Sequence, residues 1–239
     1  MKRKFKISQS QILLYQHCPY AYKLRYIDKA VPIHFDPTIF EVGRRVHEAI
    51  DYYYKNHFST DRTRDEILAI SYGYLRKNWD RSLPPEYLRK SFTALYNFAT
   101  FESNKNIFGY RQKPLTEVVL HCENMFGVVD YLDLNTKEVL DFKTSSNPSV
   151  SKQNKIQATV YKLLIEHNFH FTPKTFTFFY LLPNVQKHVN LSSISNIETE
   201  VKNTINSIIE SWETNRFEKK PKTKNACKSC EYRMYCGGV

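Results

Sequence analysis

The spacing of apolar residues separates a helical first part of the chain from a second part that contains strands. Up to about residue 103, apolar side chains recur every three to four positions, as they do on one face of a helix. Val42, Val46 and Tyr53 form one such stripe. The pattern predicts helices over residues 8–17, 20–27, 41–56, 63–79 and 85–103, the last three within a helical block over 40–103.

From residue 117 the apolar period changes to two, which is typical of strands. Three short runs separated by turn residues predict an antiparallel meander over 117–122, 126–134 and 138–143. The remainder predicts a helix over 150–167, strands over 174–182 and 187–191, and a last helix capped by Ser195 and Glu198. The sequence therefore predicts the α/β (mixed) class, with a central mixed sheet flanked by helices.

The chain contains no internal repeat and no long linker, so we expect one domain over residues 1–239. Within it we expect a helical insertion over 48–112 and a catalytic sheet and helix over 113–191. No run approaches the roughly 18 apolar residues that cross a bilayer. The basic N-terminal stretch also lacks the apolar core of a signal peptide. We therefore expect a cytoplasmic protein without a membrane partner.

The charge balance indicates a polyanionic partner. The 239 residues carry 35 Lys and Arg against 24 Asp and Glu, a net charge of +11, which favours nucleic acid over a membrane surface. Tyr20 and Tyr22 alternate with Lys23 and Arg25, so these four residues are weak candidates for nucleic-acid binding. The alternative is a solvated face with tyrosines in the core.

Two carboxylates and a lysine lie on neighbouring predicted strands. Asp141 and Lys143 are two residues apart and share a face, and Asp130 on the preceding strand can lie level with them. Paired carboxylates are suited to Mg²⁺ or Mn²⁺, and a nearby lysine can stabilise charge on a phosphate during phosphodiester hydrolysis. The alternative is a surface ion pair.

Two predicted helices carry further candidates. His47 follows Gly43 by four residues, off the apolar stripe, and could be a metal ligand or an ordinary packed histidine. Gln157 and Tyr161 share a helix face, which we expect to differ from the apolar stripe of Ile156, Val160 and Leu163. They could contact a phosphate, a base or the lysine, or form plain helix surface.

In this order, the motifs resemble the RecB-like branch of the PD-(D/E)XK nuclease superfamily, which has a restriction-endonuclease-like fold. The matching pairs are Gly43/His47, Gly127/Asp130, Asp141/Lys143 and Gln157/Tyr161. The resemblance implies that His47, Asp130, Asp141 and the Phe142 carbonyl bind metal and that Lys143 is catalytic. It also implies that Gln157 and Tyr161 shape the site and hold DNA. Glu117 is the expected upstream acid, and Asp133 is expected on the opposite face.

Four of the five cysteines have the arrangement of a metal site. Cys227, Cys230 and Cys236 crowd one end of the chain, and Cys18 can supply a fourth thiolate. The residues alone leave zinc and an iron–sulfur cluster open. The split arrangement resembles RecB-like iron–sulfur nucleases, including AddB-type domains and CRISPR-associated nucleases, and implies a [4Fe–4S] cluster that joins the two ends. Cys122 is expected to be a buried free thiol.

These observations predict a metal-dependent DNA nuclease, with single-stranded DNA ends as the substrate implied by the resemblance. Repair or CRISPR adaptation proteins are the expected partners. The chain has no G-x-x-x-x-G-K-[ST] loop, so we expect no helicase module. The alternatives are a catalytically silent or partner-dependent DNA-binding subunit, a zinc-containing nucleic-acid-binding protein, and a redox protein.

Overall fold

The computed structural model describes residues 5–33, 37–106 and 111–236. The predicted helices and strands are present, with ends that differ by a few residues. The helices are α1 (Gln9–His17), α2 (Pro19–Tyr26), α3 (Glu41–His57), α4 (Arg64–Lys77), α5 (Pro85–Asn106), α6 (Lys152–Phe169) and α7 (Ser195–Thr214). The strands are β1 (Leu115–Cys122), β2 (Met125–Asp133), β3 (Glu138–Lys143), β4 (Thr175–Tyr180) and β5 (Val185–Val189).

The five strands form one mixed sheet in the order β1-β2-β3-β4-β5. Strands β1, β2 and β3 make the predicted antiparallel meander. Strand β4 runs parallel to β3, and α6 provides the crossover that a parallel pair requires. Strand β5 returns antiparallel to β4. The α/β (mixed) class and the restriction-endonuclease-like arrangement are confirmed.

Helices cover both faces of this sheet. One core lies between the sheet and α1, α6 and α7, and includes Val129, Leu164 and Ile208. The other lies between the sheet and α3, α4 and α5, and includes Val46 and Tyr131. Because α3 and α6 lie on opposite faces, side chains from both helices can reach the same strand ends.

Side-chain caps fix the starts of α1, α4 and α6. Thr63 and Glu66 form the predicted capping box of α4, and Ser8 caps α1 by accepting from the Gln11 amide. The predicted cap of α7 is wrong. Ser195 lies inside the helix, the N-cap is Ile194 without a side-chain bond, and Glu198 pairs with lysines instead.

The two ends of the described chain are tied together by backbone hydrogen bonds. The Tyr20 amide donates to Glu218 O at 3.1 Å, and the Lys222 amide donates to His17 O at 2.9 Å. A third bond joins the Ile33 amide to Glu231 O at 2.8 Å. The C-terminal segment therefore packs along the N-terminal helices. No helix in the described ranges has the length and apolarity to cross a membrane.

Tyr22 is buried and cannot contact nucleic acid, so the prediction that it is a binding residue is wrong. Its side chain is 1% exposed and packs against Tyr15, Tyr26 and Phe217, and its hydroxyl donates to Gln11. Alternation with basic residues in the sequence did not reveal that this helix face is apolar. Of the other three candidates, Tyr20 is half-buried beneath the Lys219 ammonium, Lys23 pairs with Asp28, and Arg25 is exposed.

Candidate active site

The regular alternation of side chains between the two faces of the sheet is interrupted in β1 at Glu117 and in β2 at Asp130. In a regular strand, residues two apart share a face. Val129 nevertheless packs with α6, whereas Tyr131 packs on the other side of the sheet. Glu117 lies opposite this break and has a φ of 44°, in the left-handed region that non-glycine residues rarely adopt. The distortion brings both carboxylates to one place.

Two glycines let helices approach this part of the sheet. A Cβ on Gly127 would lie 2.8 Å from Leu164 Cδ1 and 3.3 Å from the Tyr161 ring, so its absence lets α6 pack closely on β2. A Cβ on Gly43 would lie 3.2 Å from Thr144 Oγ1. The close neighbour of Gly43 is therefore the Thr144 side chain.

His47, Glu117 and Asp130 form one compact group. His47 Nδ1 lies 3.2 Å from Glu117 Oε1 and 3.6 Å from Asp130 Oδ2. One ligand atom from each of the three lies within 4.8 Å of the others. On the far side of the imidazole, Nε2 lies 2.9 Å from Phe142 O, and the Phe142 amide donates to Asp130 Oδ2 at 2.9 Å. The Phe142 backbone thus fixes both the ring and the carboxylate.

The crowded carboxylates change the charge state of this group. Burial lowers the pKa of His47, but the charges of Asp130, Glu117 and Asp141 outweigh burial and raise it to about 9. Burial raises the pKa of Asp130, with Asp141 and Glu117 adding to the rise against the opposing effect of His47. Without a metal ion, the protonated imidazole is the cation that these acids surround.

Asp141 forms a second group with the candidate lysine. Lys143 Nζ lies 2.6 Å from Asp141 Oδ2 and donates to Gln157 Oε1 at 3.0 Å. Gln157 Nε2 donates to Asp141 Oδ1 and to the Tyr161 hydroxyl. Burial raises the pKa of Asp141, against the opposing charge of Lys143. The structure therefore joins all four predicted residues in one hydrogen-bonded group.

The environment of Gln157 and Tyr161 differs from the prediction. Both are buried, and so is every residue from Ile156 to Tyr161, whereas Leu163 is half-buried. The helix does not separate an apolar stripe from a polar face, because it lies between the sheet and α7. Gln157 can be buried because its side-chain amide forms hydrogen bonds with Asp141 and Lys143.

Asp133 has a different role from Asp130. Its Oδ1 accepts hydrogen bonds from the Asn135 amide at 2.9 Å and the Thr136 amide at 3.0 Å. It is buried at the end of β2 and closes the turn to β3. In the part of the chain that the structure describes, it belongs to no group of candidate metal ligands.

With this geometry in view, comparison with known proteins places the chain. The family model of the PD-(D/E)XK nuclease superfamily matches residues 6–237. The chain belongs to the PD-(D/E)XK nuclease superfamily. Members of this superfamily are generally nucleases that use Mg²⁺ or Mn²⁺.

Other comparisons add little to this assignment. Thirteen chains of solved structures match, among them the crystal structure of SSO0001, which is 16% identical with a TM-score of 0.36. That match covers 85% of this chain and 98% of the other. None of the curated proteins matches.

The donor set of this PD-(D/E)XK chain fits a hard divalent cation. Mg²⁺ and Mn²⁺ prefer carboxylate, carbonyl and imidazole ligands, and these surround the His47 ring. Asp141 Oδ2 is buried and makes no well-aligned hydrogen bond, although the Lys143 ammonium lies beside it. His47, Glu117 and Asp130 could hold the cation, with Asp141 and the Phe142 carbonyl alongside. Glu117 thus stands closer to the group than the sequence motifs indicated.

The four candidate cysteines come from both ends of the chain into one region. Cys18 and Cys230 both pack against the small buried cluster of Ala21, Leu24 and Tyr232. Burial raises the pKa of Cys230 and of Cys236, and the neighbouring thiols, Cys18 and Cys227 among them, raise both further. No three of these sulfurs, within the described ranges, lie within 4.8 Å of one another. They are near neighbours but not a tight ligand set.

Cys122 is half-buried and packs against the core between the sheet and α1, α6 and α7, so it is not fully buried as expected. Burial raises the pKa of its thiol. A raised pKa keeps the thiol protonated and poorly reactive at neutral pH.

Proposed function

We propose that this protein is a metal-dependent DNA nuclease of the RecB-like branch that degrades single-stranded DNA from an end. The observation that carries the proposal is the convergence of His47, Glu117 and Asp130 beside the Asp141–Lys143 pair. A divalent cation bound there supplies Lewis-acid charge for water attack on a phosphodiester.

Lys143, Gln157 and Tyr161 have separate roles beside the cation site. Lys143 contacts Asp141 and Gln157 through its ammonium, which these two contacts hold in place, and its side chain is 29% exposed. An ammonium has three N–H donors, so one donor remains for a phosphate oxygen in the transition state. Gln157 positions both Asp141 and Lys143, and Tyr161 holds Gln157 in turn.

The substrate assignment rests on charge and on the resemblance of the motifs. A net charge of +11 favours a polyanion. The RecB-like motif order favours single-stranded DNA ends, with repair or CRISPR adaptation proteins as partners.

We further propose that Cys18, Cys227, Cys230 and Cys236 hold a [4Fe–4S] cluster. The backbone bonds between Tyr20 and Glu218 and between His17 and Lys222 bring the two cysteine-bearing segments together. The split arrangement, with one cysteine near the start of the sequence and three near its end, resembles that of RecB-like iron–sulfur nucleases and favours the cluster over zinc. The cluster would then join the two ends of the chain.

The test of the nuclease proposal compares wild type with Asp141→Ala on end-labelled single-stranded DNA, with Mg²⁺ or Mn²⁺. We expect wild type to shorten the DNA and Asp141→Ala to leave it intact. The ladder from each labelled end gives the polarity. A matched control is Asp61→Asn, because Asp61 is an acid in the α3–α4 loop, outside the group that could hold a metal ion.

A folded wild type that binds DNA but cleaves nothing would favour the second candidate, a partner-dependent DNA-binding subunit. Zinc in place of iron, with no cleavage, would favour the zinc-containing nucleic-acid-binding protein. The complete group of Asp130, Asp141 and Lys143 argues for the enzyme, since a binding subunit has no use for a buried acid beside a lysine.

A further inference from the structure

A cleft lies between α3 and α4, on a face of the helical block that the nuclease site does not use. Its volume is about 390 Å³. Tyr52 and Tyr74 stack there, with ring centroids 4.2 Å apart and planes 16° from parallel. His57 lies against Tyr52 at 5.1 Å, and its Nε2 is 3.0 Å from the Tyr52 hydroxyl. Three aromatic rings therefore belong to the lining of the cleft.

Gly73 forms part of this cleft, and the fold gives no reason for a glycine there. It lies inside α4, where glycine disfavours the helix. Its φ is not in the left-handed region, and a Cβ built on it meets no atom within 4 Å. Neither packing nor backbone conformation therefore requires it. What its missing side chain preserves is the open space of the cleft.

The chemistry of the lining selects a class of ligand. Aromatic rings can stack on any nucleobase, since every base presents a π-face. Lys77 and Asn78 stand at the end of α4, and the seven lining residues include no acid. Lys77 can pair with a phosphate, and the Asn78 side-chain oxygen can accept from a base edge, because its Nδ2 already donates to Tyr74 O.

We propose that the cleft binds a nucleobase of single-stranded DNA, away from the point of cleavage. The inference rests on the proposed nuclease function, because α3 carries both His47 and the cleft residue Tyr52. His57 follows His47 by ten residues, about 15 Å along the helix axis. A strand held at both places would be positioned relative to the cation site by one rigid helix.

The test measures binding of fluorescent single-stranded DNA by anisotropy, over lengths of about 4 to 20 nucleotides. Each variant is made in the Asp141→Ala background so that DNA is not consumed. Gly73→Leu fills the cleft and replaces glycine by a better helix former. We expect it to fold with a Tm at or above that of its parent and to weaken binding of the longest DNA about tenfold or more.

Matched variants separate stacking from general disturbance. Ala69→Leu adds the same side chain one turn away on α4, outside the cleft, and is expected to bind like its parent. Tyr74→Leu removes the ring and should weaken binding, whereas Tyr74→Phe keeps the ring and should preserve it. DNA too short to reach the cleft should bind equally to all these proteins.

Two outcomes overturn the inference. One is equal binding of every DNA length by Gly73→Leu and its parent. The other is equal weakening by Gly73→Leu and Ala69→Leu. Failure of the nuclease proposal gives a different result, namely no cleavage by wild type while binding still depends on Gly73.

Discussion

His47 and Glu117 meet across the sheet edge, with Nδ1 and Oε1 3.2 Å apart. The contact exists because Glu117 adopts a φ of 44° in the middle of a strand. Such a conformation costs of order 1–3 kcal/mol for a residue with a side chain. The folded protein therefore contains an unfavourable backbone conformation at Glu117, which brings this acid beside His47 and Asp130.

We expect Asp130→Asn to abolish cation binding and to stabilise the metal-free protein. The pKa of Asp130 is raised in the folded protein, so its ionised form is less favourable there than in the unfolded chain. We expect the metal-free variant to be more stable than metal-free wild type by about 1 kcal/mol, or about 2–4 °C in Tm. We also expect loss of the Tm increase that Mn²⁺ gives wild type. Thermal unfolding with EDTA and with Mn²⁺ measures both, and an intact Mn²⁺ response would contradict the assignment.

We expect Asp133→Asn to lower stability and to leave DNA cleavage nearly unchanged. The Asp133 carboxylate accepts two turn amides and stands apart from the cation site. Hydrogen bonds to a charged acceptor contribute about 1.5–3 kcal/mol, and asparagine retains part of this through its carbonyl oxygen. We expect a Tm lower by a few degrees and DNA cleavage close to wild type, measured on the same preparations. Loss of cleavage with a normal Tm would place Asp133 in the site.

Gln157→Leu tests whether positioning of Lys143 matters apart from cation binding. The substitution removes the amide that joins Asp141, Lys143 and Tyr161 but leaves the His47 group untouched. We expect kcat to fall about 10- to 100-fold, as for other residues that orient a metal site. The Mn²⁺-induced Tm increase should persist. A wild-type kcat would show that Lys143 does not need this partner.

Gly127→Ala should lower stability by overpacking. The new Cβ would lie 2.8 Å from Leu164 Cδ1, inside a closed core. We expect a loss of about 1–3 kcal/mol in the free energy of unfolding, measured in urea. Leu164→Val removes the atom that clashes, so the double variant should recover part of the loss. Additive losses would show that Leu164 is not the obstacle.

Cys18→Ser tests the proposed cluster from the N-terminal side. We expect anaerobically purified wild type to contain iron, and Cys18→Ser to lose it together with several degrees of Tm. Cys122→Ser is the matched control, because Cys122 lies against a different part of the core and should keep its iron. Iron retained in Cys18→Ser would remove Cys18 from the ligand set.

Much of this architecture could be predicted from the sequence. The change from a three-to-four-residue period to a two-residue period separates the helical block from the meander, and short turns fix the order of β1 to β3. The spacing also predicted that Asp141 and Lys143 share one face of a strand and that Gln157 and Tyr161 share one face of a helix. That the two pairs belong to one site was implied by the family resemblance alone.

The rest depended on irregular backbone and on packing between distant segments. Regular alternation cannot show that β1 and β2 change pleat at Glu117 and Asp130, so the closeness of Glu117 to His47 was not fixed by any motif. Burial of Tyr22 depends on Phe217, almost two hundred residues later. The left-handed φ of Glu117 has no local cause in the residue types around it.

The hydrogen bond between the Lys222 amide and His17 O can form only after both residues have been synthesised. A ribosome adds about 5–20 residues per second, so His17 is made about 10–40 s before its partner exists. During that interval the apolar faces of α1 and α2 lack the segment that covers them. Helices α1 and α2 are thus synthesised well before the segment that completes their packing.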